Sequence, residues 1–102
     1  MATVKVARVD EVPAGTGKVV QAGTTELALF NVSGTFYALD NRCTHMGGPL
    51  GEGELEGTQV TCPWHGSIFD ITSGAVVRGP ARRPVAIFEV RVVGNDVSVE
   101  LP

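Results

Sequence analysis

The residues best suited to chemistry lie in two short segments of the chain. The first is Cys43-Thr44-His45, and the second, sixteen residues later, is Cys62-Pro63-Trp64-His65. Together the two segments contain both cysteines and both histidines of the protein. Because thiolates and imidazoles are the side chains that bind zinc and iron, each segment predicts a pair of metal ligands, one sulfur and one nitrogen.

Three kinds of centre would use these side chains. A disulfide between Cys43 and Cys62 leaves both histidines without a role, and disulfide frameworks belong mostly to small secreted chains with more cysteines. A structural zinc site has suitable ligand types, but its usual spacing puts two cysteines in one knuckle and two histidines on a helix. The third is a two-iron, two-sulfide cluster with two cysteines on one iron and two histidines on the other. We favour the third, because two opposed loops that each give one cysteine and one histidine bring like ligands together.

The ligand motif and the residues that follow it resemble the Rieske iron–sulfur proteins. The matching residues are Cys43-x-His45, Cys62-x-x-His65, Gly66–Asp70 and Ser73-Gly74. More narrowly, the whole chain is similar to the small Rieske-type ferredoxins that supply electrons to bacterial ring-hydroxylating oxygenases. The resemblance implies one [2Fe-2S] cluster per chain, held by Cys43, His45, Cys62 and His65. It also implies that Ser67 donates a hydrogen bond to a bridging sulfide.

Two departures from the high-potential respiratory Rieske proteins affect the expected potential. Those proteins have a disulfide between the two ligand loops, and the matching positions here are Gly48 and Trp64. Their tyrosine that donates to a ligand sulfur corresponds to Phe69, which has no hydroxyl. Keeping Ser67 and losing the tyrosine predicts a potential of about −150 to 0 mV, in the lower part of the range for this centre.

Alternating apolar residues and frequent turn residues predict an all-β protein. The first strand is expected around Val4, Val6 and Val9, and the chain is expected to end in a hairpin of 85–93 and 96–101. Further strands are predicted at 18–21, 26–32, 35–39, 58–61 and 66–71. The resemblance implies a small antiparallel multi-sheet sandwich. A single domain is expected over 1–102, with basal strands at about 1–40 and 81–102 and an inserted cluster-binding lobe at about 41–80.

Apolar and charged residues near the motif suggest a docking surface. An apolar rim is expected around His45 and His65, formed by Met46, Pro49, Leu50, Trp64 and Pro80. For Trp64 and Leu50, the alternative that they simply shield the cluster stays open. Glu52, Glu54 and Glu56 share one face if the segment is extended. We interpret them as a solvated turn in preference to a steering patch for a basic partner.

Composition excludes several classes of function. The formal net charge of −3 and the pI near 5.2 argue against nucleic-acid binding, which needs a basic face. No stretch approaches the eighteen or so apolar residues that span a bilayer, and the N-terminus lacks the apolar core of a signal peptide. We therefore expect no membrane partner and a cytoplasmic location, where both cysteines stay reduced.

The chain is predicted to be an electron carrier and not an enzyme. A Rieske oxygenase needs a second iron bound by two further histidines and a carboxylate, and this chain has only two histidines. The expected partners are a flavin-dependent ferredoxin reductase and a terminal oxygenase, which dock transiently at the His45/His65 tip. The alternatives are a small Rieske subunit of an assimilatory nitrite reductase and a zinc-stabilised binding module.

Overall fold

The computed structural model describes residues 2–102, whose eleven strands form three antiparallel sheets. We call them the basal sheet (order β1-β11-β10), the central sheet (β2-β3-β4-β9) and the outer sheet (β5-β6-β7-β8). The all-β prediction is confirmed. The strands are β1 (Ala2–Arg8), β2 (Thr16–Ala22), β3 (Thr25–Val32), β4 (Thr35–Asp40), β5 (Glu54–Glu56), β6 (Gln59–Thr61), β7 (Ile68–Asp70), β8 (Val76–Arg78), β9 (Ile87–Phe88), β10 (Val90–Val93) and β11 (Asp96–Leu101).

Strand β3 is buried on both faces and separates two hydrophobic cores. Successive side chains of a strand point to opposite faces, so its unbroken apolar run predicts cover on both sides. Leu27 and Leu29 point into a basal core, which the basal sheet closes with Val97 and Val99. Ala28 and Phe30 point into the opposite core.

The second core, which we call the ligand-side core, contains both cysteines of the motif. Cys43 and Cys62 pack there with buried residues of the outer sheet, Val60 and Phe69, and with Leu50. The central sheet is therefore a middle layer between the two cores, and it supports the core that contains Cys43 and Cys62.

Tight turns set the register of the central sheet. Ser33 and Gly34 join β3 to β4 with φ values of 52° and 93°, the positive pair that a two-residue type I′ hairpin requires. The side chain of Asn31 supports this turn, because its Oδ1 accepts from the Gly34 N–H at 2.8 Å.

Three details of the strand prediction are wrong. Val9 lies outside β1, in a short 3-10 turn, Val9–Glu11, closed by the Glu11 carboxylate accepting from the Arg8 N–H. The expected strand 85–93 breaks at Glu89, because Ile87–Phe88 pairs with β4 whereas Val90–Val93 pairs with β11. The outer sheet has two strands, β5 and β8, at positions where turns were expected or nothing was assigned.

Within residues 2–102, no helix is long and apolar enough to cross a membrane.

Candidate metal centre

The first ligand loop connects β4 to a 3-10 turn, Leu50–Glu52. An isolated antiparallel bridge between Arg42 and Pro49 closes the loop at its base. Inside it, the Cys43 N–H donates to the Gly48 carbonyl at 2.9 Å, and the Gly47 N–H donates back to the Cys43 carbonyl at 2.8 Å. These bonds fix the backbone on both sides of His45.

Asn41 anchors this loop, and the sequence analysis gave it no role. It is 2% exposed. Its Nδ2 donates to the Glu26 carboxylate at 2.7 Å, and its Oδ1 accepts from the Gly51 N–H at 2.7 Å. Its backbone carbonyl also accepts from the Leu50 N–H at 2.8 Å. A polar residue between a strand and a ligand motif was the only sequence feature that pointed to it.

The second ligand loop connects β6 to β7. The Cys62 N–H donates to the Ser67 carbonyl at 2.7 Å, which continues the strand ladder up to the first ligand. His65 and Gly66 then turn the chain with φ values of 70° and 76°. A non-glycine residue in this left-handed region costs about 1–2 kcal/mol, so the surrounding ladder holds His65 in a strained conformation.

The predicted ligands form two unlike pairs, one of sulfur and one of nitrogen. Among residues 2–102, no group of three or more His, Cys, Asp or Glu side chains is placed to hold a metal ion. Cys43 and Cys62 are 3% and 1% exposed and lie inside the ligand-side core. His45 and His65 are exposed, with ring centroids 5.1 Å apart and ring planes at 89°. The chemistry of a buried sulfur pair and an exposed imidazole pair fits a centre with two irons of unequal ligation.

The environment of Cys62 favours a neutral thiol unless a cation is present. Burial raises the pKa of the Cys62 thiol, and the adjacent Cys43 thiol raises it further, against a lowering by the backbone N–H of Trp64. A buried thiolate needs a compensating positive charge, which iron supplies. The donor set therefore fits a metal centre better than it fits two free thiolates.

The two ligand loops touch at Gly48 and Trp64. A methyl group added at Gly48 would lie 2.6 Å from the Cys62 Sγ and 3.1 Å from the Trp64 Cβ. The Trp64 side chain therefore packs directly on Gly48, and at this pair of positions the sequence predicted no disulfide. Cys43 and Cys62 are both free.

A third segment, residues 79–84, joins the two ligand loops through contacts that the sequence did not predict. The Thr44 hydroxyl of the first loop donates to the Arg83 carbonyl at 2.6 Å. The Ser67 hydroxyl of the second loop is fully buried and accepts from the Ala81 N–H at 2.9 Å. No local pattern reveals either bond, because the partners are distant in sequence.

The apolar rim around the histidines differs from the prediction at one residue. Met46 and Trp64 are 61% and 48% exposed, Pro80 is exposed and Pro49 is half-buried. Leu50 is fully buried and packs beside the cysteines, because it begins the 3-10 turn that covers the ligand-side core. Leu50 therefore belongs to the core and not to the rim.

The acidic segment is only partly extended. Glu54 and Glu56 lie in β5 with exposed side chains on one face, whereas Glu52 ends the preceding 3-10 turn. The condition for a shared face, an extended segment, is therefore met by Glu54 and Glu56 and not by Glu52.

Comparison with known proteins identifies the family. The model of the Rieske [2Fe-2S] domain matches residues 2–89. The chain belongs to the Rieske [2Fe-2S] domain family. This Rieske protein is 35% identical over 91 residues to the ferredoxin component of the naphthalene 1,2-dioxygenase system of Pseudomonas aeruginosa, covering 89% of this chain and 88% of that protein.

Solved Rieske ferredoxins share the fold. The Sphingomonas yanoikuyae B1 ferredoxin superposes with a TM-score of 0.92 at 31% identity, over 99% of this chain and 100% of that one. A chain in the complex of reduced oxygenase and oxidized ferredoxin in carbazole 1,9a-dioxygenase gives a TM-score of 0.89 at 35% identity, over 95% of this chain and 91% of that one.

This Rieske protein is therefore a ferredoxin, an electron-transfer protein with one [2Fe-2S] cluster. The relatives favour this interpretation over a nitrite reductase subunit or a zinc-stabilised module.

Proposed function

We propose that this Rieske ferredoxin carries single electrons from a flavin-dependent ferredoxin reductase to a terminal ring-hydroxylating oxygenase. Its partners dock transiently at the His45/His65 tip. The observation that supports this most strongly is the exposed imidazole pair, framed by Met46 and Trp64 at 61% and 48% exposure. Exposed aromatic residues beside a functional group are typical anchors of a protein interface. Two of the relatives described above are ferredoxins of dioxygenase systems, one of them in complex with the oxygenase.

We propose that Cys43 and Cys62 hold the inner iron and that His45 and His65 hold the outer one. The burial of the sulfur pair supports this, because buried thiolates need a nearby positive charge, whereas imidazole edges tolerate water. When bound, the cluster takes up and releases one electron. Two neutral imidazoles in place of two thiolates leave it two charges less negative than a four-cysteine cluster, so the potential is higher.

We propose that Ser67 donates its hydroxyl hydrogen to a sulfur of the cluster. The hydroxyl oxygen already accepts from the Ala81 N–H, and its own hydrogen donates to no atom within residues 2–102. A serine hydroxyl has one donor and two lone pairs, so this leaves the donor free. The position of Ser67, fully buried two residues after His65, supports a role at the metal centre.

The domain organisation and the location complete the proposal. We propose a single domain over 1–102 in which residues 41–80 form the cluster-binding lobe. The confinement of the outer-sheet strands to residues 54–78 supports this. We also propose a cytoplasmic location, since a reducing compartment keeps both cysteines available for iron. Cell fractionation tests it.

A reconstituted electron-transfer assay tests the proposed function. The holoprotein is mixed with NADH and with the reductase and oxygenase of the naphthalene dioxygenase system, and hydroxylated product is measured against ferredoxin concentration. We expect saturable turnover that requires the ferredoxin. Trp64→Ala should raise the half-saturating concentration by about tenfold, the effect of losing an interface anchor of about 1.4 kcal/mol.

The matched control is Val93→Ala, which truncates a 74% exposed residue of β10 in the basal sheet. We expect no change for this variant. Product formation that does not depend on the ferredoxin would contradict the proposed function. Equal effects of the two substitutions would contradict docking at the His45/His65 tip.

A further inference from the structure

A groove beside His45 is lined by two arginines. It has a volume of about 400 Å³ and is formed by Thr44, His45, Pro80, Arg82 and Arg83. We call it the arginine groove. His45, through which an electron would leave under the proposed function, is one of its lining residues. The apolar rim contains no charged residue, so the two arginines are a separate feature of this surface.

Neither arginine of the groove is neutralised within the described chain. Among residues 2–102, the cations that form ion pairs with carboxylates are Lys5, Arg8 and Arg91. Within the part of the chain that the structure describes, neither Arg82 nor Arg83 forms an ion pair with a carboxylate. Because both are exposed, their charges face solvent beside His45.

The outer sheet separates Arg78, which precedes the arginine groove in sequence, from two acidic residues on its far edge. Glu54 and Glu56 lie on the edge strand β5, and Arg78 lies on the opposite edge strand β8, which leads into Arg82 and Arg83. Three strand spacings of about 4.8 Å separate the two edges by about 14 Å, more than a Debye length at physiological salt. Arg82 and Arg83 line the groove beside His45, so the net charge of −3 does not fix the sign of the charge at that point.

The backbone of the arginine segment is held in place before any partner arrives. The Arg83 carbonyl accepts from Thr44, and the Ala81 N–H donates to Ser67, so each ligand loop fixes one end. A preorganised site loses less conformational entropy on binding. Arginine is also the side chain whose planar fork best matches a carboxylate.

We propose that the arginine groove receives an acidic side chain of the redox partner and thereby places that partner against His45. This rests on the proposed function and adds the chemistry of the contact: the docking face of the partner is acidic at this point. Docking then combines the apolar rim with one charge-assisted contact, which orients the partner on the exposed imidazoles.

Small charged oxidants test the local charge without a protein partner. The reduced holoprotein is oxidised by anionic ferricyanide or by a cationic cobalt(III) phenanthroline complex, at increasing ionic strength, in a stopped-flow instrument. We expect the ferricyanide rate to fall with salt and the cobalt rate not to fall. If the net charge of −3 alone decided the rate, oxidation by anionic ferricyanide would become faster as salt is added.

Variants of equal charge separate the groove from the overall field. Arg82→Gln/Arg83→Gln should lower the ferricyanide rate at low salt by about threefold or more. The control, Lys5→Gln/Lys18→Gln, removes the same charge from exposed residues of β1 and β2, outside the groove, and should have a much smaller effect. In the turnover assay, only the groove variant should raise the half-saturating concentration.

Equal effects of the two double variants would overturn the proposal, because they would indicate long-range charge alone. An effect on ferricyanide with turnover unchanged would also overturn it, since the groove would then attract anions without holding a partner. The visible spectrum and wild-type turnover report the proposed function separately, so a failure of the groove proposal is distinguishable from a failure of the carrier function.

Discussion

Replacement of Ser67 by alanine tests the proposed hydrogen bond to the cluster. Ser67 is fully buried, so its hydroxyl is shielded from bulk water. A hydrogen bond to a charged acceptor contributes about 1.5–3 kcal/mol, and it is stronger in the more negative, reduced state. If the hydrogen bond is stronger by about 1–2 kcal/mol in the reduced state than in the oxidised state, the reduction potential is higher by about 40–90 mV for one electron. We expect Ser67→Ala to lower the reduction potential by this amount.

Protein-film voltammetry at neutral pH measures the shift. The substitution also removes the acceptor of the Ala81 N–H, so stability should fall by about 1–2 kcal/mol in denaturant unfolding. Thr44→Val is the matched control. It breaks the other bond to the third segment, Thr44 to Arg83, without removing a group proposed to reach the cluster. An unchanged potential in Ser67→Ala, or an equal fall in Thr44→Val, would refute the hydrogen bond to the cluster.

Three further substitutions test how the chain positions the site. Asn41→Ala should lower the free energy of unfolding by about 2–4 kcal/mol, because it leaves the Gly51 N–H without its acceptor and a carboxylate oxygen of Glu26 without its donor. Urea unfolding followed by circular dichroism checks this, and a loss below 1 kcal/mol would contradict it. Gly48→Ala should reduce the iron content per chain, since its added carbon would lie 2.6 Å from the Cys62 Sγ. Gly79→Ala, whose added carbon meets nothing closer than 3.8 Å, is the control. Hydrogen bonds from Thr72 lower the pKa of Asp70, so its contribution to stability is complete above the unfolded pKa of about 3.9 and is lost as pH falls through the folded pKa. Asp70→Asn should flatten the dependence of stability on pH below about pH 4, and identical profiles for the two proteins would contradict this.

Local sequence patterns predicted the parts of the molecule that local physics decides. Alternation and glycine turns located the β3–β4 and β10–β11 hairpins, because hairpin geometry depends on adjacent residues. The motif identified the two loops that contain the cysteines and histidines, because only a few residue types bind iron or zinc. Exposed Met46 and Trp64 also followed from their position next to the histidines.

Features that depend on distant contacts were not predictable from the sequence. Leu50 is apolar and close to the ligand motif in sequence, as a rim residue would be. It is a core residue because it packs in the buried cluster that the central sheet supports. The break at Glu89 arises where one extended segment changes its pairing partner from β4 to β11, which no local preference encodes. The bond from Thr44 to Arg83 joins residues 39 positions apart.

The proposed ligand set is tested most directly by electron–nuclear double resonance on the dithionite-reduced protein, labelled with 15N only at histidine. We predict a paramagnetic [2Fe-2S] signal with strong coupling to two histidine nitrogens, and one coupling remaining in a cluster-retaining His65→Cys variant. A signal without histidine coupling, or a colourless protein that contains zinc, would contradict the assignment of Cys43, His45, Cys62 and His65 as the ligands of the cluster.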